Sequence, residues 1–129
     1  MLLAGTVIAD ADTVIDDGAV VVADDTIVAV GEETALRERY PDHERRTFDL
    51  VAPGLVGGHV HSVQSLGRGI ADDAALLDWL FEAVLPMEAA MDAEATRAAA
   101  ELGYLECLGS GTTTVVDHLS VNHAAEAFE

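Results

Sequence analysis

The sequence contains no lysine, and its six basic residues, all arginine, stand against 24 acidic residues, so the formal net charge is −18 at pH 7. Nucleic-acid phosphates would repel such a chain, so we expect no DNA or RNA partner. The acidic residues are spread along the chain rather than gathered in one tail. This spread favours a solvated acidic surface suited to concentrated salt, and binding to a basic partner is the alternative.

Cysteine is nearly absent: Cys107 is the only one. No disulfide can therefore form within the chain, and a reducing compartment fits. No apolar run approaches the roughly 20 residues that cross a membrane, and the N-terminus lacks the basic segment of a signal peptide. Half of the residues are nevertheless hydrophobic, which is enough for a packed core. We therefore expect a soluble, cytoplasmic protein without a membrane partner.

Residues 1–50 are typical of β-structure. The β-branched runs 19–23 and 26–30 are separated only by Asp24 and Asp25, a spacing that favours a tight hairpin. Three further elements are expected in this part of the chain: a strand at 6–9, a short helical or irregular excursion at 32–40, and a returning strand at 46–51. We expect this β-layer to carry no chemistry of its own.

After Pro53 the pattern changes to that of an α/β architecture. The mostly apolar run 55–61 predicts a buried strand whose end opens into a site. A helix is predicted over 72–85, with Asp72 or Asp73 capping its start and Pro86 ending or kinking it.

A second helix is predicted over 92–109, with Asp92 as N-cap, and a β-branched strand over 112–117. Strand, helices and strand together form the first unit of a parallel α/β fold.

Two histidines, His59 and His61, lie one residue apart at the end of the first of these strands. Side chains alternate between the two faces of a strand, so both imidazoles point the same way. Two imidazoles on one face can reach a single metal ion. A bare His-x-His pattern is nevertheless a weak signal, since most such pairs bind no metal.

Three segments in order, PGLVGGHVHSVQSLGRG, DWLFEAVLPMEAAM and GSGTTTVVDH, resemble the amidohydrolase superfamily. The chain looks most like its branch of metal-dependent aminohydrolases, which act on triazines, purines and related heterocycles. The resemblance implies that residues 1–52 are part of a small β-domain. It also implies that residues 53–129 are the start of a (β/α)₈ barrel, incomplete and truncated after its first strand-helix-strand portion.

The resemblance also implies roles for individual residues. His59 and His61 match the first two metal ligands, for a divalent ion that is zinc in preference to iron. Gln64, Trp79 and His118 match positions that bind a small heterocyclic substrate. Each has a plainer alternative: Gln64 could cap a turn, Trp79 could be core, and His118 could be a loop residue. Arg68 could form a structural salt bridge or bind an anionic group of the substrate.

The resemblance further implies that the other metal ligands and the acid/base residue lie beyond this sequence, so that no catalytic residue is assigned within it. The family function would be hydrolysis of a non-peptide carbon–nitrogen bond, the deamination of a heterocycle. We expect the chain alone to be inactive. Three interpretations stay open: an N-terminal fragment of such an enzyme, a non-catalytic remnant that pairs with a complementing chain or with its own copies, and a small binding domain.

Overall fold

The computed structural model describes residues 1–119 and 122–128. It divides into two compact units, Met1–Pro53 and Gly54–Glu129. Among the described residues, no helix combines the length and apolar character needed to cross a membrane.

The first unit is a four-stranded sheet with one short helix. Its elements in chain order are β1 (Leu2–Ile8), β2 (Val14–Ala23), β3 (Thr26–Glu32), α1 (Glu33–Arg39) and β4 (Arg45–Val51). The sheet order is β3-β2-β1-β4. Strand β1 runs antiparallel to β2 and parallel to β4, and β2 runs antiparallel to β3. The strands and the hairpin predicted for this unit are therefore confirmed, and the excursion at 32–40 is helical.

One face of this sheet forms the core of the first unit. Leu2 and Ala4 alternate along β1 and pack with Ala19 and Val21 of β2, and Leu36 of α1 covers them. This arrangement follows from the two-residue period of a strand, which sends every second side chain to the same face.

The hairpin between β2 and β3 turns at Asp24 and Asp25, because Ala23 pairs with Thr26. Asp24 has a φ of 51°, in the left-handed region that tight hairpin turns require and that Asp tolerates better than most residues. The turn thus forms without a glycine.

The second unit contains a parallel strand pair joined by helices. Its elements are β5 (Leu55–Val60), a 3₁₀ segment (Ser62–Gly67), α2 (Leu76–Asp78), a π-helical segment (Trp79–Val84), α3 (Leu85–Ala90), α4 (Ala93–Gly109), β6 (Thr112–Asp117) and a second 3₁₀ segment (Glu126–Phe128). Strands β5 and β6 pair in parallel. The predicted strand-helix-strand unit is therefore confirmed.

Helix α4 is the longest helix among the described residues of this unit. Its first turn is capped by Asp92, whose carboxylate accepts a hydrogen bond from the Ala95 amide at 2.9 Å, as predicted from the sequence. The helix packs against the first 3₁₀ segment. Its buried residues recur at helical spacing: Thr96, Ala99, Ala100 and Gly103.

The predicted start of the helix over 72–85 is wrong. The helix begins at Leu76, and neither Asp72 nor Asp73 caps it, because its N-cap is Ala75 without a side-chain hydrogen bond. Residues 71–74 form turns instead, and Ala71 has a φ of 57°, which a right-handed helix does not allow.

Pro86 does not end this helical stretch. It lies in the first turn of α3, directly after the π-helical segment. Proline has no amide hydrogen to donate, and its ring crowds the carbonyl four residues earlier, that of Glu82. A wider π-helical turn accommodates that carbonyl, so the helical path continues to Ala90.

The sequence predicts that the strand over 55–61 is buried, and this expectation is also wrong. Leu55 and Val56 of β5 are 61% and 70% exposed. A parallel strand becomes buried when further strands flank it and helices cover both of its faces. In the described part of the chain, β5 pairs with β6 alone.

Candidate metal centre

His59 and His61 meet at the carboxyl end of β5. His59 lies within the strand and His61 follows its last residue. Their Nε2 atoms are 3.1 Å apart, and their rings meet edge to face with centroids 4.8 Å apart. Both residues are exposed, so an ion from solvent can reach the pair.

The tautomer of neutral His61 is set by the backbone of residue 118. The Nδ1 atom of His61 is 3.0 Å from the carbonyl oxygen of His118. A carbonyl oxygen only accepts hydrogen bonds, so Nδ1 carries the hydrogen, and the lone pair is on Nε2, which lies 3.1 Å from Nε2 of His59. Metal-binding histidines are commonly held in this way, with the second ring nitrogen donating to a carbonyl or carboxylate.

The spacing of the pair fits two neighbouring ligands of one ion. With zinc–nitrogen distances of about 2.0–2.1 Å, two ligands of a tetrahedral site lie about 3.3–3.4 Å apart. The observed Nε2–Nε2 separation is 3.1 Å. In residues 1–119 and 122–128, no group of three or more His, Cys, Asp or Glu side chains could hold an ion. Four-coordinate zinc therefore requires donors in addition to this pair.

His118 packs its ring beside the rings of His59 and His61. Its ring centroid is 4.3 Å from that of His59 and 5.4 Å from that of His61. Its amide donates to the carbonyl of Val60 at 2.8 Å, which holds the end of β6 beside the end of β5. Its predicted contact with substrate stays a prediction.

A cavity of about 670 Å³ lies beside His61 and is lined by Gln64 and Trp79 among others. The structure thus brings two of the three predicted substrate-binding residues to one cavity together with a predicted metal ligand. His59 and His118 do not line it. Trp79 is half-buried at the start of the π-helical segment.

Two polar contacts shape the wall of this cavity. The amide of Gln64 donates to a carboxylate oxygen of Glu88 at 2.7 Å, so Gln64 is tied to α3. The guanidinium of Arg68 pairs with both carboxylate oxygens of Glu106, each at 2.7 Å. The salt-bridge alternative for Arg68 is therefore the one that the structure shows.

Sequence reasoning missed Asp117 and Tyr104. One carboxylate oxygen of Asp117 accepts from the Ser62 amide at 3.2 Å, and the other accepts from the Tyr104 hydroxyl at 2.8 Å. Burial, with the nearby Asp117 carboxylate, raises the pKa of Tyr104 above its usual value, so the hydroxyl stays a donor. The available signal was a carboxylate at a strand end, next to His118.

Comparison with known proteins agrees with this architecture. Residues 50–129 match the model of the amidohydrolase family, and residues 18–42 match an imidazolonepropionase-like composite domain of bacteria. The chain belongs to the amidohydrolase family. The resemblance described from the sequence is thereby confirmed.

Individual relatives are named as deaminases. The 5-methylthioadenosine/S-adenosylhomocysteine deaminase 1 of Syntrophus aciditrophicus is 41% identical over 91% of this chain and 28% of its own length. A 5-methylthioadenosine/S-adenosylhomocysteine deaminase of Haloarcula marismortui is 39% identical over all of this chain and 30% of its own length. The chain therefore spans less than a third of these relatives.

A solved structure shows the same fold. An adenosine deaminase from Xanthomonas campestris with bound zinc superimposes with a TM-score of 0.76 and 30% identity, over 97% of this chain and 30% of that one. The predicted α/β fold class, matching the N-terminal part of an amidohydrolase, is confirmed. The bound zinc of that relative indicates a divalent metal as the family's cofactor.

Proposed function

We propose that this chain supplies the first two metal ligands, His59 and His61, of an enzyme that deaminates a heterocycle by hydrolysis. The observation that carries the proposal is the 3.1 Å separation of the two Nε2 atoms, with the tautomer of His61 fixed by the His118 carbonyl. The names of the relatives support a purine nucleoside as the substrate class. Two imidazole nitrogens suit zinc, which is bound in the structure of the adenosine deaminase from Xanthomonas campestris.

The residues of this chain have separate tasks in that reaction. His59 and His61 would hold a divalent ion, which would supply Lewis acidity and a water activated at neutral pH. The His118 carbonyl keeps Nδ1 of His61 protonated, which leaves Nε2 as the nitrogen that would donate its lone pair to the ion. Gln64 and Trp79 border the cavity that accepts the heterocycle, and the Trp79 ring offers a flat apolar surface to it. His118 is proposed to contact the substrate from the side of His59.

The test is zinc binding by the 129-residue chain, measured by competition with a coloured chelator. We expect His59→Ala and His61→Ala each to weaken zinc binding at least about tenfold, because each removes one of the donors. His43→Ala is the matched control, since His43 lies in the first unit beside Tyr40, and its affinity should equal that of the unchanged chain. Equal affinities in all four proteins would refute the proposal.

Turnover is tested by ammonia release from 5-methylthioadenosine. The chain alone is expected to release none, because two imidazoles do not hold zinc in a fixed geometry. The other candidate function, a non-catalytic module that acts only with a partner chain, predicts the same zero turnover. It differs in predicting that the two histidine variants bind zinc as well as the unchanged chain does.

A further inference from the structure

Asp117 ends strand β6 beside the two histidines. It pairs in register with Val60, the residue between His59 and His61. Its half-buried carboxylate uses both oxygens: one accepts from the Ser62 amide at 3.2 Å and the other from the Tyr104 hydroxyl at 2.8 Å. One side chain therefore links β6, the residue after His61, and helix α4.

His61 is held from three directions by two consecutive residues. Before it, the Val60 carbonyl accepts from the His118 amide at 2.8 Å. At its ring, Nδ1 donates to the His118 carbonyl at 3.0 Å. After it, the Ser62 amide donates to Asp117. In the first two contacts residue 118 uses only backbone groups. The third contact uses the side chain of Asp117, so it depends on which amino acid occupies position 117.

We propose that Asp117 is a positioning residue of the metal centre, which holds His61 in its ligand orientation through the backbone of Ser62. This inference rests on the proposed function. Asp117 touches neither histidine ring through its side-chain hydrogen bonds, so it acts through the chain rather than on the ion.

The surroundings of Ser62 explain why this hydrogen bond matters. Ser62 is fully buried and begins the 3₁₀ segment, and the first amides of a helical segment have no partner within it. Asp117 supplies the missing acceptor from a distant strand. Without it, a buried amide would lose its partner, which is costly, and the chain after His61 would move toward another acceptor.

The Tyr104 hydroxyl orients the carboxylate. Because Tyr104 lies on α4 and Ser62 lies on the segment packed against α4, the hydrogen bond fixes the Asp117 side chain relative to both. Asparagine at position 117 can keep both contacts: its oxygen accepts from the Ser62 amide, and its amide group donates to the Tyr104 oxygen. Alanine can keep neither.

The first readout is the tautomer of His61 in the metal-free chain, observed by ¹⁵N-histidine NMR at about pH 8.5, well above the usual histidine pKa of about 6.5. The signal is assigned by its loss in His61→Ala. We expect a protonated Nδ1 in the unchanged chain and in Asp117→Asn, and averaging between the two ring nitrogens in Asp117→Ala. A purely structural role for Asp117 would leave this signal unchanged in every folded variant.

The second readout is zinc affinity. We expect a loss of about tenfold in Asp117→Ala, as is usual when the support of a ligand is removed, and a change within about threefold in Asp117→Asn. Asp73→Ala removes an exposed carboxylate of the same unit and should change neither readout. A folded Asp117→Ala protein with an unchanged His61 signal and unchanged affinity would overturn the inference.

Tyr104→Phe decides the matter if Asp117→Ala does not fold. It removes the hydroxyl that orients the carboxylate but keeps the Ser62 hydrogen bond, so we expect a broadened His61 signal and a smaller loss of affinity. An unchanged His61 signal in Tyr104→Phe would then refute the positioning role. Failure of the positioning role can be told apart from failure of the proposed function. The positioning role is tested by the tautomer of His61, which is measured without metal. The proposed function fails if the unchanged chain binds no zinc at its histidine pair.

Discussion

The carboxylate of Glu33 accepts two hydrogen bonds from the guanidinium of Arg45, at 2.6 and 2.9 Å. These hydrogen bonds lower the pKa of Glu33 below its usual value. A carboxyl group whose pKa is lowered by folding adds stability above its unfolded pKa, and this stability is lost as the pH falls through the folded pKa. The pair joins α1 to β4 within the first unit.

We predict that Glu33→Gln lowers the free energy of unfolding by about 0.2–1 kcal/mol near pH 7, the usual range for a pair near the surface. The difference from the unchanged chain should shrink as the pH falls through the folded pKa of Glu33, which lies below the usual value for glutamate. Thermal unfolding across this range measures it. Glu38→Gln, at an exposed position of the same helix, is the control and should have a smaller effect. A pH-independent difference would contradict the assignment.

For single residues, the sequence predicted the candidate site residues better than the hydrogen bonds that position them. The motif pointed to His59 and His61, and the structure places their Nε2 atoms within ligand spacing. The roles of Gln64 and Trp79 stay predictions, although both border the cavity. The hydrogen bond from Ser62 to Asp117 joins residues 55 positions apart, and local patterns carry no information about such a contact.

Among the elements, helix α4 was predictable and the helical stretch before it was not. Helix α4 has a capping side chain at Asp92 and a regular stripe of small residues, so local signals agree. In the stretch before it, Asp72 and Asp73 resemble caps, but the chain turns until Leu76. The π-helical segment depends on how the chain accommodates Pro86. Sequence periodicity assumes 3.6 residues per turn throughout a helix, so it does not predict such a segment.

The packing of α4 on the first 3₁₀ segment depends on Gly103. A β-carbon there would lie 2.6 Å from the Ser65 hydroxyl oxygen and 3.1 Å from the Ser62 α-carbon. We predict that Gly103→Ala lowers the free energy of unfolding by up to about 2 kcal/mol, because overpacking of about 1–3 kcal/mol exceeds the gain of about 1 kcal/mol in helix propensity.

Gly109→Ala is the matched control for this prediction. It makes the same change in the same helix, but its β-carbon would meet nothing within 4 Å. We expect it to be neutral or to stabilise by up to about 1 kcal/mol. Denaturant unfolding of both variants measures the difference, and equal effects of the two substitutions would show that the close approach at Gly103 relaxes at little cost.

The whole molecule carries a net charge of −18, so its acidic groups repel one another in the folded state. Salt at about 1 M shortens the screening length to about 3 Å. We predict that the midpoint of thermal unfolding rises by at least about 5 °C between low salt and about 1 M potassium chloride, an increase equivalent to about 1 kcal/mol. Sodium chloride at the same ionic strength should give the same rise. A flat or falling midpoint would favour the alternative, in which the acidic surface serves a basic partner.

The contact between residue 118 and the His61 ring is made by a backbone carbonyl, which every amino acid possesses. Position 118 is therefore free to change its side chain during evolution without releasing the ligand beside it. Under the roles proposed above, a substitution at position 118 would change the predicted substrate contact of that side chain while the tautomer of His61 stays the same.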